Sequence, residues 1–195
     1  MIKYECVWRE GPPPPAEAVA GLCRCRDALH ARGLVGHDTK HDVGYGNVSV
    51  RDDDGAVFVT GTQTGHVDSF APEHVVRILG YDLAANRVAC EGPLRASSET
   101  LSHLALYEAA ATIGGVVHVH DAAGWTSLRG RVPTTDADVA YGTPAMARAL
   151  GALAREAPEG GVIVMGGHAD GIIAYGSDPD DAAARLLHAL ETIAD

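Results

Sequence analysis

His118 and His120 stand one residue apart at the end of the apolar run GGVVHVH. In a β-strand, alternate side chains share a face, so the two imidazoles would stand side by side while Val117 and Val119 face the other way. Such a pair can ligate a metal, or it can simply sit on a half-exposed strand. His168 lies in MGGHADGIIAYG, a glycine-rich turn between two apolar runs. Loops on a rigid scaffold often carry function, though a surface turn also accommodates a histidine. Glu99 opens the helical stretch SSETLSHLALYEAA. A glutamate there either compensates the helix dipole or completes a set of three histidines and one carboxylate, suited to zinc or another divalent ion. A carboxylate displaced by substrate becomes a general base beside an electrophilic metal, a means of removing a proton next to a carbonyl. His103, one helical turn beyond Glu99, reads as structural or supporting.

Small hydroxyl residues suggest an anion site. RASSET places Ser97 and Ser98 at a helix start, where free N–H groups attract anions. GYGNVS and TGTQTG add glycine-flanked turns able to wrap backbone donors around an anion. Each segment alone also reads as a cap or an ordinary turn. Together they would form a phosphate pocket without lysine, which suits an acidic chain.

The elements that must position these residues follow from patterning. After the stiff GPPPP lead-in, residues 16–32 read as a helix with Leu22, Ala28, Leu29 and Ala31 on a weak apolar face. GLVGHDTKHDVGYG reads as a loop. NVSVR and AVFVTG, joined by DDDG, read as a hairpin. HVVRILGYDLAANRVACEG reads as two strands around a turn at 84–86. SSETLSHLALYEAAATI is helical, with Leu101, Leu104, Ala105 and Ala109 inward. GGVVHVH is a buried strand, TPAMARALGALAREA a helix, and GVIVMGG and GIIAYG strands about a tight turn. A closing helix spans 179–193, with Leu186, Leu187, Leu190 and Ile193 in one stripe and Asp180 and Asp181 in its first turn. Hairpins interspersed with helices imply one α/β (α+β-like) domain over 1–195, a mainly antiparallel sheet covered by helices. Residues 1–15 form an N-terminal extension of unassigned role, with Tyr4, Cys6 and Trp8.

The chain has 195 residues and a formal charge of −11, which disfavours nucleic acid and anionic membranes as main partners. No stretch approaches a membrane span, the first residues lack a signal-peptide pattern, and Cys6, Cys23, Cys25 and Cys90 form neither a disulfide framework nor a zinc ribbon. The expected location is the cytoplasm. No GxGxxG or GxxxxGK[ST] loop follows a strand, which disfavours nucleotide-binding folds.

GNVSVR, TGTQTG, SSETLSHLALYEAA, GGVVHVH and GGHADGIIAYG occur in this order, and in that order they resemble the class II aldolase/adducin family over most of the chain. The resemblance implies a three-layer αβα fold around a mainly antiparallel sheet, and a homotetramer with sites between subunits. It implies a metal held by His118, His120 and His168, typically Zn2+ (Mn2+, Co2+ or Fe2+ also suit the donors). Glu99 becomes the metal-adjacent acid–base residue, and Asn47, Thr64, Gly65, Ser97 and Ser98 hold a substrate phosphate.

Glutamate at position 99 is similar to the family's aldolases, whereas TTDADVAYGT resembles an epimerase stretch whose acid–base aspartate falls on Asp138. Asp138 and Tyr141 are therefore candidate proton donors, with a strand-and-turn segment as the plain alternative. The resemblance also implies a tyrosine beyond the last helix for the aldehyde oxygen; this sequence has none after Tyr175. His37, His41 and His66 have no assigned role. The implied activity is a metal-dependent aldolase (an aldehyde-lyase) acting on a small phosphorylated ketose through a metal-stabilised enediolate. Alternatives are a sugar-phosphate 4-epimerase or dehydratase using the same chemistry, a non-catalytic adducin-like scaffold, and an iron oxygenase on the same fold.

Overall fold

The computed structural model describes residues 4–192. Its centre is an eight-stranded sheet in the order β1-β7-β6-β5-β4-β8-β10-β9. In chain order these strands are β1 (Glu5–Glu10), β4 (Asn47–Arg51), β5 (Val57–Thr60), β6 (Val75–Asp82), β7 (Arg87–Gly92), β8 (Gly115–His120), β9 (Gly161–Val164) and β10 (Gly171–Gly176). Every neighbouring pair is antiparallel except β1 with β7. β2 (Gly36–Asp38) and β3 (Val43–Tyr45) form a separate small hairpin.

Helices cover both faces. Val59, Val76, Val116, Ile163 and Ile173 pack with Leu101, Leu104, Met146 and Leu150, which belong to α2 (Thr100–Ala109) and α4 (Pro144–Glu156). On the opposite face, Val48, Phe58, Val75, Val117, Val119, Ile172 and Ala174 pack with Val19, Leu22, Leu29, Ala182 and Leu186. These helical residues come from α1 (Ala16–His30) and α5 (Pro179–Glu191). The result is the three-layer αβα arrangement with a mainly antiparallel sheet.

Most strands and helices lie where their patterns place them, with specific differences. α1 ends at His30, and its buried stripe is Val19, Leu22, Cys25, Arg26 and Leu29. Ala28 and Ala31 are exposed. The segment read as a loop at 33–46 contains the β2–β3 hairpin. α2 begins at Thr100, so Ser97 and Ser98 precede it in a turn and Glu99 is its N-cap. It is buried on nearly every side from Thr100 to Tyr107, whereas Ala109 is only half-buried. β1 lies in the N-terminal extension of unassigned role; its alternating, largely exposed ECVWRE gains order by pairing with β7. A short helix, α3 (Ala122–Leu128), follows β8 directly and is capped by the Asp121 side chain, which accepts from Gly124 N at 2.8 Å. Asp178 and Thr143 cap α5 and α4 in the same way. Ile193 lies outside the described residues. No described helix is long and apolar enough to cross a membrane.

Candidate functional site

β8 lies between β4 and β10 in the middle of the sheet. Val117 and Val119 are fully buried in the α1/α5 core, worth about 1.5–3 kcal/mol each. Their burial dictates which face His118 and His120 take, because a one-residue slip would exchange the two sets. His118 and His120 therefore project on the α2 side, with Val116 beneath them. The ladder sets Asn47 opposite His118 and Gly171 opposite His120.

The turn from β9 to β10 supplies the third imidazole. It is closed by His168 N donating to Met165 O and Gly171 N donating to His168 O, both at 3.0 Å. A Cβ at Gly171 would sit 2.7 Å from His168 Cδ2, so glycine is needed for the ring to lie where it does. Ring centroids are 5.1 Å apart for His118–His120, 5.2 Å for His118–His168 and 4.7 Å for His120–His168. One ligand nitrogen from each lies within 4.8 Å of the others. Among the described residues this is the one group of metal-ligating side chains so arranged.

His118 is oriented for ligation. Its Nδ1 is 3.1 Å from the Ile172 carbonyl oxygen. A carbonyl can only accept, so Nδ1 carries the proton and Nε2 presents its lone pair. That Nε2 is buried and has no hydrogen-bond partner, an expensive arrangement for a polar atom unless a ligand occupies it. Burial first, and then the neighbouring His120 and His168, hold the His118 pKa well below the usual histidine value. Burial also lowers that of His120, against an opposing pull from Asp170. Both shifts favour neutral imidazoles at His118 and His120, the form that binds metals. The residues present thus fit a divalent ion.

The histidines line a cavity of about 220 Å³ together with Asn47, Ser97, Ser98, Glu99 and Tyr141. Glu99 is buried and accepts from Ser102 Oγ at 3.3 Å; it lies outside the mutually close histidine group. The Tyr141 ring stacks on His168, with centroids 4.2 Å apart and planes 17° from parallel. Its segment is docked against the His168 turn so closely that a Cβ at Gly167 would lie 1.8 Å from Val139 O.

Other expected site residues fall elsewhere. Thr64 and Gly65 are not in the cavity lining. The Thr64 hydroxyl is occupied, donating to Gly61 O at 2.8 Å, and Gly65 packs against Gly36 of β2. Their loop is held by a residue that sequence reading passed over. The buried Arg26 guanidinium donates to Thr64 O at 3.0 Å, to Gly65 O at 3.2 Å and to Val67 O. An arginine inside an otherwise apolar helix stripe is the signal that marks it. Asp138 is exposed and outside the lining. His37 faces a neighbouring cavity of about 400 Å³ shared with Tyr45, His120 and Asp170. His41 and His66 are exposed.

Chemically, the cavity combines three imidazoles, a buried carboxylate, a phenol and small hydroxyl and amide groups. Comparison with known proteins bears on the fold and the family. The L-ribulose-5-phosphate 4-epimerase UlaF of Salmonella paratyphi B is 43% identical over 65 residues, 31% of this chain. That match spans only 28% of the epimerase's length. Among solved structures, YgbL from Klebsiella pneumoniae superposes with a TM-score of 0.68 at 18% identity, covering 91% of this chain and 87% of that one. An L-fuculose 1-phosphate aldolase gives 0.61 at 19% identity, covering 92% and 86%; at such identity these likenesses speak for the fold. The model of the Class II Aldolase and Adducin N-terminal domain matches residues 21–195, and with nearly the whole chain so covered, the protein belongs to the class II aldolase and adducin family.

Proposed function

We propose that the protein is a divalent-metal-dependent aldehyde-lyase acting on a small phosphorylated ketose. The observation that carries this reading is the unpartnered, buried Nε2 of His118 beside His120 and His168, in one cavity with Glu99. Three clustered imidazoles suit Zn2+ first, with Mn2+, Co2+ and Fe2+ compatible with the same donors. When bound, such an ion supplies Lewis acidity at a carbonyl oxygen, worth several kcal/mol in the transition state.

The chain's own residues have distinct tasks in the condensation direction. Glu99 takes the proton from the carbon next to the ketone carbonyl. The electron pair left on that carbon forms the new bond to the aldehyde carbon. The aldehyde oxygen then needs a proton, which we assign to the Tyr141 hydroxyl. Asp138, being exposed, is available as a donor to a neighbouring copy in a homotetramer. Asn47, Ser97 and Ser98 hold the phosphate, with Thr64 and Gly65 shaping the pocket's outer wall from behind the β2–β3 hairpin.

A second reading, a 4-epimerase, is favoured by the local identity to the L-ribulose-5-phosphate 4-epimerases. It needs a proton moved at oxygen alone: the carbinol hydroxyl loses its proton as the carbon–carbon bond breaks, and the same oxygen regains one after the bond reforms on the other face of the aldehyde, with no proton taken from or given to carbon. The experiment is to incubate metal-loaded protein separately with L-fuculose 1-phosphate and L-ribulose 5-phosphate, following products by NMR. Release of an aldehyde supports the lyase. An inverted carbinol without net cleavage supports the epimerase, and loss of water a dehydratase. No conversion of these or a wider panel of ketose phosphates would overturn the enzymatic reading.

A further inference from the structure

Beneath the cavity runs a buried polar chain that the proton transfers above do not use. Tyr107 and Ser49 hydroxyls are 2.8 Å apart. Ser49 Oγ is 2.7 Å from His103 Nδ1, His103 Nε2 is 2.7 Å from Asn47 Oδ1, and Asn47 Nδ2 donates to Ser97 Oγ at 2.6 Å. The strands explain why these groups meet. Asn47 and Ser49 are alternate residues of β4 on the face of His118 and Val116, while His103 and Tyr107 are one turn apart on α2.

We propose that His103, Ser49 and Tyr107 are positioning residues forming a one-way hydrogen-bond relay that fixes the Ser97 hydroxyl as a donor into the cavity. The proposal rests on the phosphate reading given under Proposed function and deepens it, by stating which hydrogen-bond polarity the anion end presents. The direction follows atom by atom. Asn47 offers its amide N–H to Ser97, so its Oδ1 is the atom that accepts from His103. His103 must then carry its proton on Nε2. A neutral imidazole has one N–H, so Nδ1 accepts, and Ser49 is its donor. Ser49 in turn accepts from Tyr107. At the other end, a Ser97 oxygen that already accepts from Asn47 has its own proton left for a ligand.

The neutral state of His103 is imposed by its surroundings. It is fully buried, none of its hydrogen-bond partners is a carboxylate, and burial pushes its pKa down to about 3. A pocket built this way presents the Ser97 O–H as a donor at this edge. It recognises oxyanions by their lone pairs and does not require a proton on the ligand, so phosphate dianion and sulfate are both accepted there. A pocket presenting an acceptor would instead select protonated phosphate and reject sulfate.

The test uses the full-length, metal-loaded protein. Long-range proton–nitrogen NMR on labelled histidine reads the His103 tautomer, and calorimetry reads binding of inorganic phosphate and of sulfate above the second phosphate ionisation. The expected results are the Nε2–H tautomer, sulfate within roughly tenfold of phosphate, and about tenfold weaker phosphate binding in Ser49→Ala with metal content unchanged, one hydrogen bond's worth. If Ser49→Ala fails to fold, the tautomer and the anion ratio in the unsubstituted protein still decide. Phosphate binding with the Nδ1–H tautomer, or with sulfate excluded, would overturn the relay and leave the phosphate reading intact. Absence of any phosphate binding together with the Nε2–H tautomer would instead overturn the phosphate reading, and the anion selectivity with it.

Discussion

Asn47 and His118 face each other directly across the β4–β8 ladder. Asn47 is hydrogen-bonded to Ser97 in the cavity wall and His118 belongs to the histidine cluster, so a single strand register sets the spacing between them. Val117, Val119 and Val48, buried on the opposite face, hold that register by the hydrophobic free energy a slip would forfeit.

Replacing the residue that orients a ligand should separate metal binding from folding. At Gly171 an added Cβ would approach His168 Cδ2 to 2.7 Å and Cγ to 2.9 Å, so the imidazole must move. Gly171→Ala is expected to weaken zinc affinity by roughly 10–100-fold, the range seen when ligand-orienting contacts are disturbed. Competition against a chromophoric chelator measures it, and an unchanged circular dichroism spectrum is expected beside it.

Tyr141→Phe keeps a ring to stack on His168 and removes the hydroxyl. If that hydroxyl protonates the aldehyde oxygen, turnover falls by roughly 10²–10⁴-fold at full metal content. Asp138→Asn, compared in the same assay, separates a donor within the chain from one lent by a neighbouring copy. Unchanged turnover in Tyr141→Phe would remove the phenol from the reaction.

Stability should depend on His103 in acid. Its folded-state pKa is lowered from 6.5 to about 3, so the unfolded chain binds the proton first as pH falls. Stability is therefore undiminished above pH 6.5 and is lost as pH drops from there toward about 3, at up to about 1.4 kcal/mol per pH unit. Urea unfolding across that window should show the slope in the unsubstituted protein and a shallower one in His103→Gln.

Arg26 is a stability residue that holds the loop from Thr64 to Val67. Its guanidinium, 1% exposed, satisfies carbonyls of Thr64, Gly65 and Val67 and stacks over Phe70 at 4.7 Å. Arg26→Met leaves those carbonyls without their donor and should cost about 3 kcal/mol, read as a lower thermal midpoint. Arg26→Lys should recover little, because an ammonium lacks the planar fork that reaches several carbonyls at once.

Much of this organisation is legible in the residues themselves. Alternation in GGVVHVH gives the shared face of His118 and His120, and β-branched runs punctuated by DDDG and AANR give the β4–β5 and β6–β7 hairpins. What local pattern could not give depends on tertiary contact. β1 is ordered by its partner β7, and its own six residues are half charged and largely exposed. β2 and β3 are three residues each, too short for periodicity. α2 is buried nearly all round, so no single apolar face announces its true start, and Ser97 and Ser98 read as helical. His103 reads only as structural or supporting, and Arg26 is marked only as a charge in an apolar stripe; their partners follow from β4 and the 61–67 loop folding against them.

The central claim is that His118, His120 and His168 clasp one divalent ion. The direct measurement is anomalous diffraction at the zinc edge from zinc-soaked crystals of the unsubstituted protein and of His118→Ala. The account predicts one anomalous peak about 2.0–2.1 Å from a nitrogen of each imidazole, absent in the variant. A cavity without a peak, or a peak that persists unchanged in His118→Ala, would contradict it.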